Sequence, residues 1–178
     1  MTSGETTPAR EVVVVTGAGG MGEAIARRLG PGRTVVLADA SDGALEPAAA
    51  RLTGAGHDVH TQRVDVSVAA AVRDLAAAAA GLGPIRAIVH TAGVSPVQAT
   101  PQQIVAVDVL GTAHVLDAFE PHARPGTVCV CIASMAGTMM PIDDATLALL
   151  ATTPTVALAA LELLDPERMD PGSAYAVA

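Results

Sequence analysis

Val12-Val13-Val14-Val15, running straight into Thr16-Gly17-Ala18-Gly19-Gly20-Met21-Gly22, is the stretch that decides the fold. Four consecutive β-branched residues read as a parallel strand buried on both faces. Gly17, Gly19 and Gly22 supply G-x-G-x-x-G, and Glu23–Leu29 reads as a helix with Ile25 and Leu29 on one face. Strand, glycine turn and helix, in that order, are what a dinucleotide-binding unit requires. A β-carbon at the first two glycines would block the tight turn and the approach of a pyrophosphate, and the third glycine lets helix and strand pack closely. N–H groups at the helix start then face the phosphate charge. An ordinary glycine turn is the bland alternative; the flanking strand and helix argue against it.

The second half of this fingerprint is an acidic residue at the end of the next strand. Arg33–Asp39 supplies it, with Asp39 standing 22 residues after Gly17. Asp39 would accept hydrogen bonds from ribose hydroxyls and repel a 2′-phosphate, which favours NAD over NADP. It could equally cap a helix beginning near Ser41, and the two roles can coexist.

Outward from this unit, strands and helices alternate. Helix Asp42–Leu52 leads to strand His57–Val64, helix Val68–Ala80, strand Ile85–Thr91, helix Pro101–Glu120 and strand Thr127–Ala133. Gly30-Pro31-Gly32, Gly54-Ala55-Gly56, Gly81–Pro84 and Pro125-Gly126 supply the turns. Such alternation calls for right-handed crossovers and an α/β doubly wound parallel sheet with helices on both faces. The 178 residues, 51% hydrophobic and 16% charged, are read as one domain with a proper core. A net charge of −8 without a basic run argues against nucleic acid or an anionic membrane as partner. No apolar stretch approaches a membrane span, and residues 1–10 are polar without a signal-peptide core, so a cytoplasmic location is expected. Cys129 and Cys131 alternate within Val128–Ile132, which puts both on one face of a strand. They are read as buried structural thiols, not as a metal or redox pair, and no metal site is expected.

Spread over nearly the whole chain, these residues resemble the short-chain dehydrogenase/reductase family. The resemblance rests on Thr16–Gly22, Asp65-Val66, His90-Thr91-Ala92-Gly93, Ile132–Gly137 and Tyr175, each at the carboxyl end of a strand or on the following helix. It implies a Rossmann-type sheet, incomplete on its C-terminal side. It also implies a dinucleotide held by Thr16, Gly17, Gly19, Gly20, Met21, Gly22 and Asp39, with Asp65 and Val66 at the adenine and Thr91, Ala92 and Gly93 against the cofactor. Hydride moves between nicotinamide and an alcohol or carbonyl carbon in this family while a proton moves to or from the oxygen. By resemblance Tyr175 is the acid/base and Ser134 hydrogen-bonds the same oxygen. A free phenol has a pKa of about 10, so such a tyrosine needs nearby positive charge; in the family a lysine four residues later supplies it.

The chain departs from the family pattern at several points. It contains no lysine, and Tyr175-Ala176-Val177-Ala178 stops where that lysine would follow, so it is read as the amino-terminal part of a longer dehydrogenase. The fifth strand is then expected to present an apolar, unpaired edge. The glycine loop is one residue shorter than the usual T-G-x-x-x-G-x-G. Asp108 stands where members usually carry an asparagine that bends the helix and holds a water in the proton relay; an aspartate accepts hydrogen bonds there but lacks the amide donor. His90 replaces the first asparagine of N-A-G, with a structural and a catalytic imidazole both open.

Tyr175 follows Ser134 by 41 residues, longer than usual, so 138–172 reads as an insertion beside the active site. Thr153 and Pro154 are read there as N-cap and first residue of a helix through Leu164, ended by Asp165-Pro166. Its apolar residues, including Met139, Met140, Leu147, Leu149 and Val156, suit a wall over a hydrophobic substrate, a subunit contact or a helical hairpin on its own core. The favoured function is an NAD-dependent oxidoreductase on a small-molecule alcohol or carbonyl, acting as a homo-oligomer, with this chain inactive unless extended. A catalytically silent NAD-binding regulatory module is the alternative, and a nonfunctional fragment is compatible with every residue.

Overall fold

The computed structural model describes residues 9–139 and 142–178; the polar start at 1–8 and Met140 lie outside them. Five parallel strands form one sheet in the order β3-β2-β1-β4-β5. They are β1 (Val12–Thr16), β2 (Thr34–Asp39), β3 (Asp58–Arg63), β4 (Ile85–His90) and β5 (Val128–Cys131). The chain winds from β1 to β3 on one side, then crosses back to lay β4 and β5 on the other. The order therefore reverses at β1 and β4, and the crevice beyond their carboxyl ends is where such sheets place ligands.

Helices α1 (Gly20–Leu29) and α2 (Asp42–Gly54) cover one face, and α3 (Ala69–Leu82) with α5 (Gly111–Phe119) covers the other. The alternation of strand side chains distributes the valines between them. Val12 and Val14 join Val36, Ile88, Val72, Leu75, Val115 and Phe119, while Val13 and Val15 join Val35, Leu37, Ala26, Leu45 and Leu52. Each valine, leucine, isoleucine or phenylalanine so buried contributes about 1.5–3 kcal/mol.

The helix expected over Pro101–Glu120 is one helical run of changing pitch. It comprises α4 (Pro101–Ile104), a π-helical turn over Val105–Leu110, α5, and a 3₁₀ turn at Glu120–His122. Thr100 starts it with a capping box, its hydroxyl accepting from the Gln103 N–H while the Gln103 side chain accepts from the Thr100 N–H at 2.9 Å. The widened turn falls on Asp108, whose carbonyl accepts the Thr112 hydroxyl at 2.6 Å. A side chain inserted into the ladder in this way is a known cause of helix distortion.

Four expectations are corrected. Cys129 and Cys131 are exposed, not buried, because β5 is the sheet's edge and its side chains are only partly covered by the described residues. The single helix from Pro154 to Leu164 is instead α8 (Thr155–Leu158) followed by separate 3₁₀ turns at Glu162–Leu164 and Pro166–Arg168. Thr153 does not cap it: its hydroxyl donates to the Leu149 carbonyl at 2.6 Å and so ends α7 (Asp144–Thr152), while Pro154 takes the cap position. Nor is the segment a hairpin on its own core. Leu158 and Leu164 pack with Val105, Val109, Leu110 and Ala113, on the helical run that carries Asp108.

Candidate active site

Two glycines of the loop are held by packing and two face open space. A β-carbon at Gly22 would stand 1.8 Å from the Gly17 carbonyl oxygen, and one at Gly17, whose φ is +90°, would stand 2.7 Å from the Ala92 nitrogen. Only glycine therefore lets β1, α1 and the segment after β4 approach this closely. Nothing lies within 4 Å of the corresponding points at Gly19 and Gly20. α1 begins at Gly20, three residues earlier than its sequence pattern suggests, so the N–H groups of Gly20, Met21 and Gly22 belong to its first turn. First-turn N–H groups have no acceptor inside their helix and carry the positive end of its dipole. This cradle, open on the outside and closed behind, fits a pyrophosphate.

Asp39 at the end of β2 is bound to two backbone segments, although Ser41 and not Asp39 takes the N-cap position of α2. One carboxylate oxygen accepts the Ala18 N–H at 2.7 Å and the other accepts the Ser41 N–H at 2.9 Å. It thus ties the glycine loop to the start of α2, and its remaining lone pairs leave it able to accept ribose hydroxyls. Asp65, exposed at the end of β3, binds the N–H and hydroxyl of Ser67, and Val66 is buried under Gly111. Thr16 is buried, its hydroxyl 2.6 Å from His90 Nδ1. His90 is 2% exposed and burial pushes its pKa down to about 4, so it is a neutral imidazole joining β1 to β4. Of the two readings of His90, this placement bears out the structural one.

Beyond the carboxyl ends of β4 and β5 lies a cavity of about 370 Å³ lined by Met21, Thr91, Ala92, Gly93, Asp108, Thr112, Cys131, Ser134 and Tyr175 among others. It gathers the three residues expected to be catalytic, though Tyr175 is far from the others in sequence. Tyr175 is carried by α9 (Pro171–Val177), which packs against α4 and against α6 (Ala136–Met139). Gly137 lies at this contact, its β-carbon position 3.5 Å from the Ala176 carbonyl, an ordinary packing distance. Asp170 fixes where α9 starts, accepting the N–H groups of Gly172 and Ser173 at 2.8 and 3.1 Å ahead of Pro171. Ser134 accepts the Ala136 N–H at 3.2 Å, which holds its hydroxyl at the entry to α6.

Asp108 is the most perturbed acid of the cavity. One oxygen accepts the Val94 N–H at 2.9 Å, and the other is buried without a partner. Burial raises its pKa to about 6, against the lowering effect of that one hydrogen bond. Gly93 lies against it, with a β-carbon position 3.3 Å from its oxygen. Thr112 and Cys131 also line the cavity without having been singled out for it. Thr112 follows Asp108 by one helical turn, a spacing that could have revealed it. Cys131 was misassigned to the interior because the alternation of a strand shows which face a residue takes and not whether that face is covered.

The family model described as short chain dehydrogenase matches residues 11–146. The short-chain dehydrogenase/reductase bsc3 of Alternaria brassicicola is 38% identical over 170 residues, which are 94% of this chain and 62% of that protein. The chain therefore spans less than two thirds of its curated relative. Among solved structures, a short-chain dehydrogenase/reductase of Burkholderia phymatum in complex with NAD is 32% identical at a TM-score of 0.67, covering 85% of this chain and 58% of that one. A variant of actinorhodin polyketide ketoreductase with NADPH is 28% identical at a TM-score of 0.65, covering 81% of this chain and 60% of its own.

Proposed function

The chain belongs to the short-chain dehydrogenase/reductase family, and we propose that it is the nucleotide-binding and catalytic portion of an NAD-dependent oxidoreductase acting on a small-molecule alcohol or carbonyl. The observation that carries this reading is the gathering of Ser134, Tyr175 and Asp108 around one cavity that Met21 and Thr91–Gly93 link to the glycine loop. Thr16–Gly22 and Asp39 would hold the pyrophosphate and ribose, and Asp65 and Val66 the adenine end. Nicotinamide supplies or accepts the hydride. Tyr175 passes a proton to or from the substrate oxygen, Ser134 donates a hydrogen bond to that oxygen, and Asp108 accepts from a water between them and the Val94 loop.

Preference for NAD follows from charge. A 2′-phosphate would be driven against the Asp39 carboxylate, which two backbone N–H groups already hold in place. The segment 138–172 would wall the substrate side, and its outward Leu147, Leu149 and Val156 favour a homo-oligomer. Among the described residues no helix is long and apolar enough to cross a membrane, and a cytoplasmic location is part of the proposal.

Titrating the chain with NADH, followed by the nucleotide's own fluorescence and with NADPH as control, tests the reading; with no tryptophan in the chain the background is low. Saturable enhancement with NADH and a weaker response to NADPH is expected. Asp39→Ser should narrow the difference, and equal binding of both nucleotides by the unaltered chain would overturn the assignment of Asp39.

A further inference from the structure

Arg63 closes β3 directly opposite Asp39, the two being register partners in neighbouring parallel strands. Partners of this kind lie about 4.8 Å apart and present their side chains to the same face of the sheet. Arg63 reaches over the end of β2, its Nε–H donating to the Ala40 carbonyl at 3.0 Å. That bond holds the guanidinium beside the turn in which Asp39 accepts the Ala18 and Ser41 N–H groups. All of these residues sit at the β3 end of the sheet, away from β5.

What is left of the guanidinium decides what it can do. Such a group carries several N–H donors in a planar fork, of which Ala40 uses the one on Nε. Asp42 stands 3.9 Å from the same nitrogen, but with the two side chains 70% and 61% exposed this ion pair is too weak to occupy the group. Arg27 of α1 and Arg51 of α2 are committed to Glu23, Arg51 with both Nε and a terminal nitrogen. Arg63 therefore offers outward donors beside the acid that faces the ribose, in the fork geometry that suits a phosphate.

We propose that Arg63 is a second determinant of nucleotide choice, a latent contact for a ribose 2′-phosphate that the Asp39 carboxylate keeps unused. The inference rests on the reading of Asp39 as the ribose-facing acid. With Asp39 in place, a 2′-phosphate meets a fixed negative charge and the neighbouring guanidinium serves only to hold Ala40. Without the carboxylate the Ala18 and Ser41 N–H groups lose their acceptor, so two backbone donors and the Arg63 guanidinium stand around the vacated place. Selectivity is then the difference between a repulsive and an attractive element, carried by side chains on adjacent strands.

The test is calorimetric titration of the chain with adenosine 2′,5′-bisphosphate and with adenosine 5′-phosphate, which differ only in the 2′-phosphate and require no nicotinamide pocket. The unaltered chain should bind the 5′-phosphate more tightly. In Asp39→Ser the bisphosphate should gain at least about tenfold, the value of one charge-assisted contact, and the gain should shrink as salt is raised. Adding Arg63→Gln, which keeps an amide donor for Ala40 but no charge, should remove most of that gain and leave binding of the 5′-phosphate unchanged. A gain that persists without Arg63, or no gain in Asp39→Ser, would overturn the proposal. Equal weakening of both ligands by Arg63→Gln would also overturn it, since that marks a merely structural arginine. Bisphosphate bound by the unaltered chain as tightly as the 5′-phosphate would instead overturn the reading of Asp39 itself, and this proposal with it.

Discussion

Val12–Val15 and Val128–Cys131 are both short apolar strands of one parallel sheet, yet the first is buried to its last side chain and the second leaves Val128 and Val130 more than 40% exposed. Their composition does not account for the difference. β1 has a strand on each side and helices on each face, whereas among the described residues β5 pairs with β4 alone. An apolar strand is therefore evidence of sheet membership, and its burial is conferred by neighbours that lie far away in sequence. The same contrast divides the cavity, one side of which is set in the β1–β4 half while the other rests on β5, α6 and α9.

The contrast yields graded expectations for chemical unfolding. Gly22→Ala should cost most, about 3 kcal/mol or more, because the added carbon would meet the Gly17 carbonyl with no room to move aside. A variant that unfolds like the parent would break the claim that the loop is closed by packing. Leu37→Ala, at a fully buried position of β2, should cost about 3 kcal/mol with its cavity left unfilled. Equal losses at Leu37 and at an edge position would erase the distinction between the halves.

Asp108 sits on the seam, and pH sharpens its role. Its pKa is raised from 3.8 to about 6 in the folded protein, so the native state holds the proton more tightly than the unfolded chain does. Stability from this group is present below 3.8 and is lost as pH rises through about 6. Asp108→Asn should be the more stable at pH 7, by on the order of 1 kcal/mol once screening of a half-exposed carboxyl is allowed for, with the gap closing in acid. Melting curves of both proteins from pH 4 to 8 measure this, and a gap that does not change with pH would remove the inferred ionisation. The smallest effect is expected on the edge, where Val130→Ala should change stability by less than about 0.5 kcal/mol. A larger loss would mean that β5 is covered in solution by a neighbour.

Much of the fold was legible because its signals are local. The β-branched run, the glycines, the Asp39 spacing and the helix periods all act within one strand-turn-helix unit, and each element was found within a few residues of its place. The misses share a cause. The cysteines of β5, the helix drawn through 154–164 and the start of α1 all depended on what packs or caps against them. Thr153 shows the point, since a hydroxyl before a proline suits an N-cap, yet it closes the preceding helix through Leu149 instead. Ser134, Asp108 and Tyr175 could be named from the family pattern, but their meeting could not be read from a separation of 41 residues between Ser134 and Tyr175.

By itself the sequence determined the parallel α/β sheet, the glycine cradle and the acidic residue behind it, since these follow from steric and hydrogen-bonding rules acting over a few neighbouring residues. Only the tertiary structure decided that Asp108 keeps one oxygen unpartnered and that α9 brings Tyr175 to the cavity that Ser134 lines. Burial, desolvation and the meeting of distant groups depend on which elements become neighbours, and no local pattern in the chain encodes that by itself.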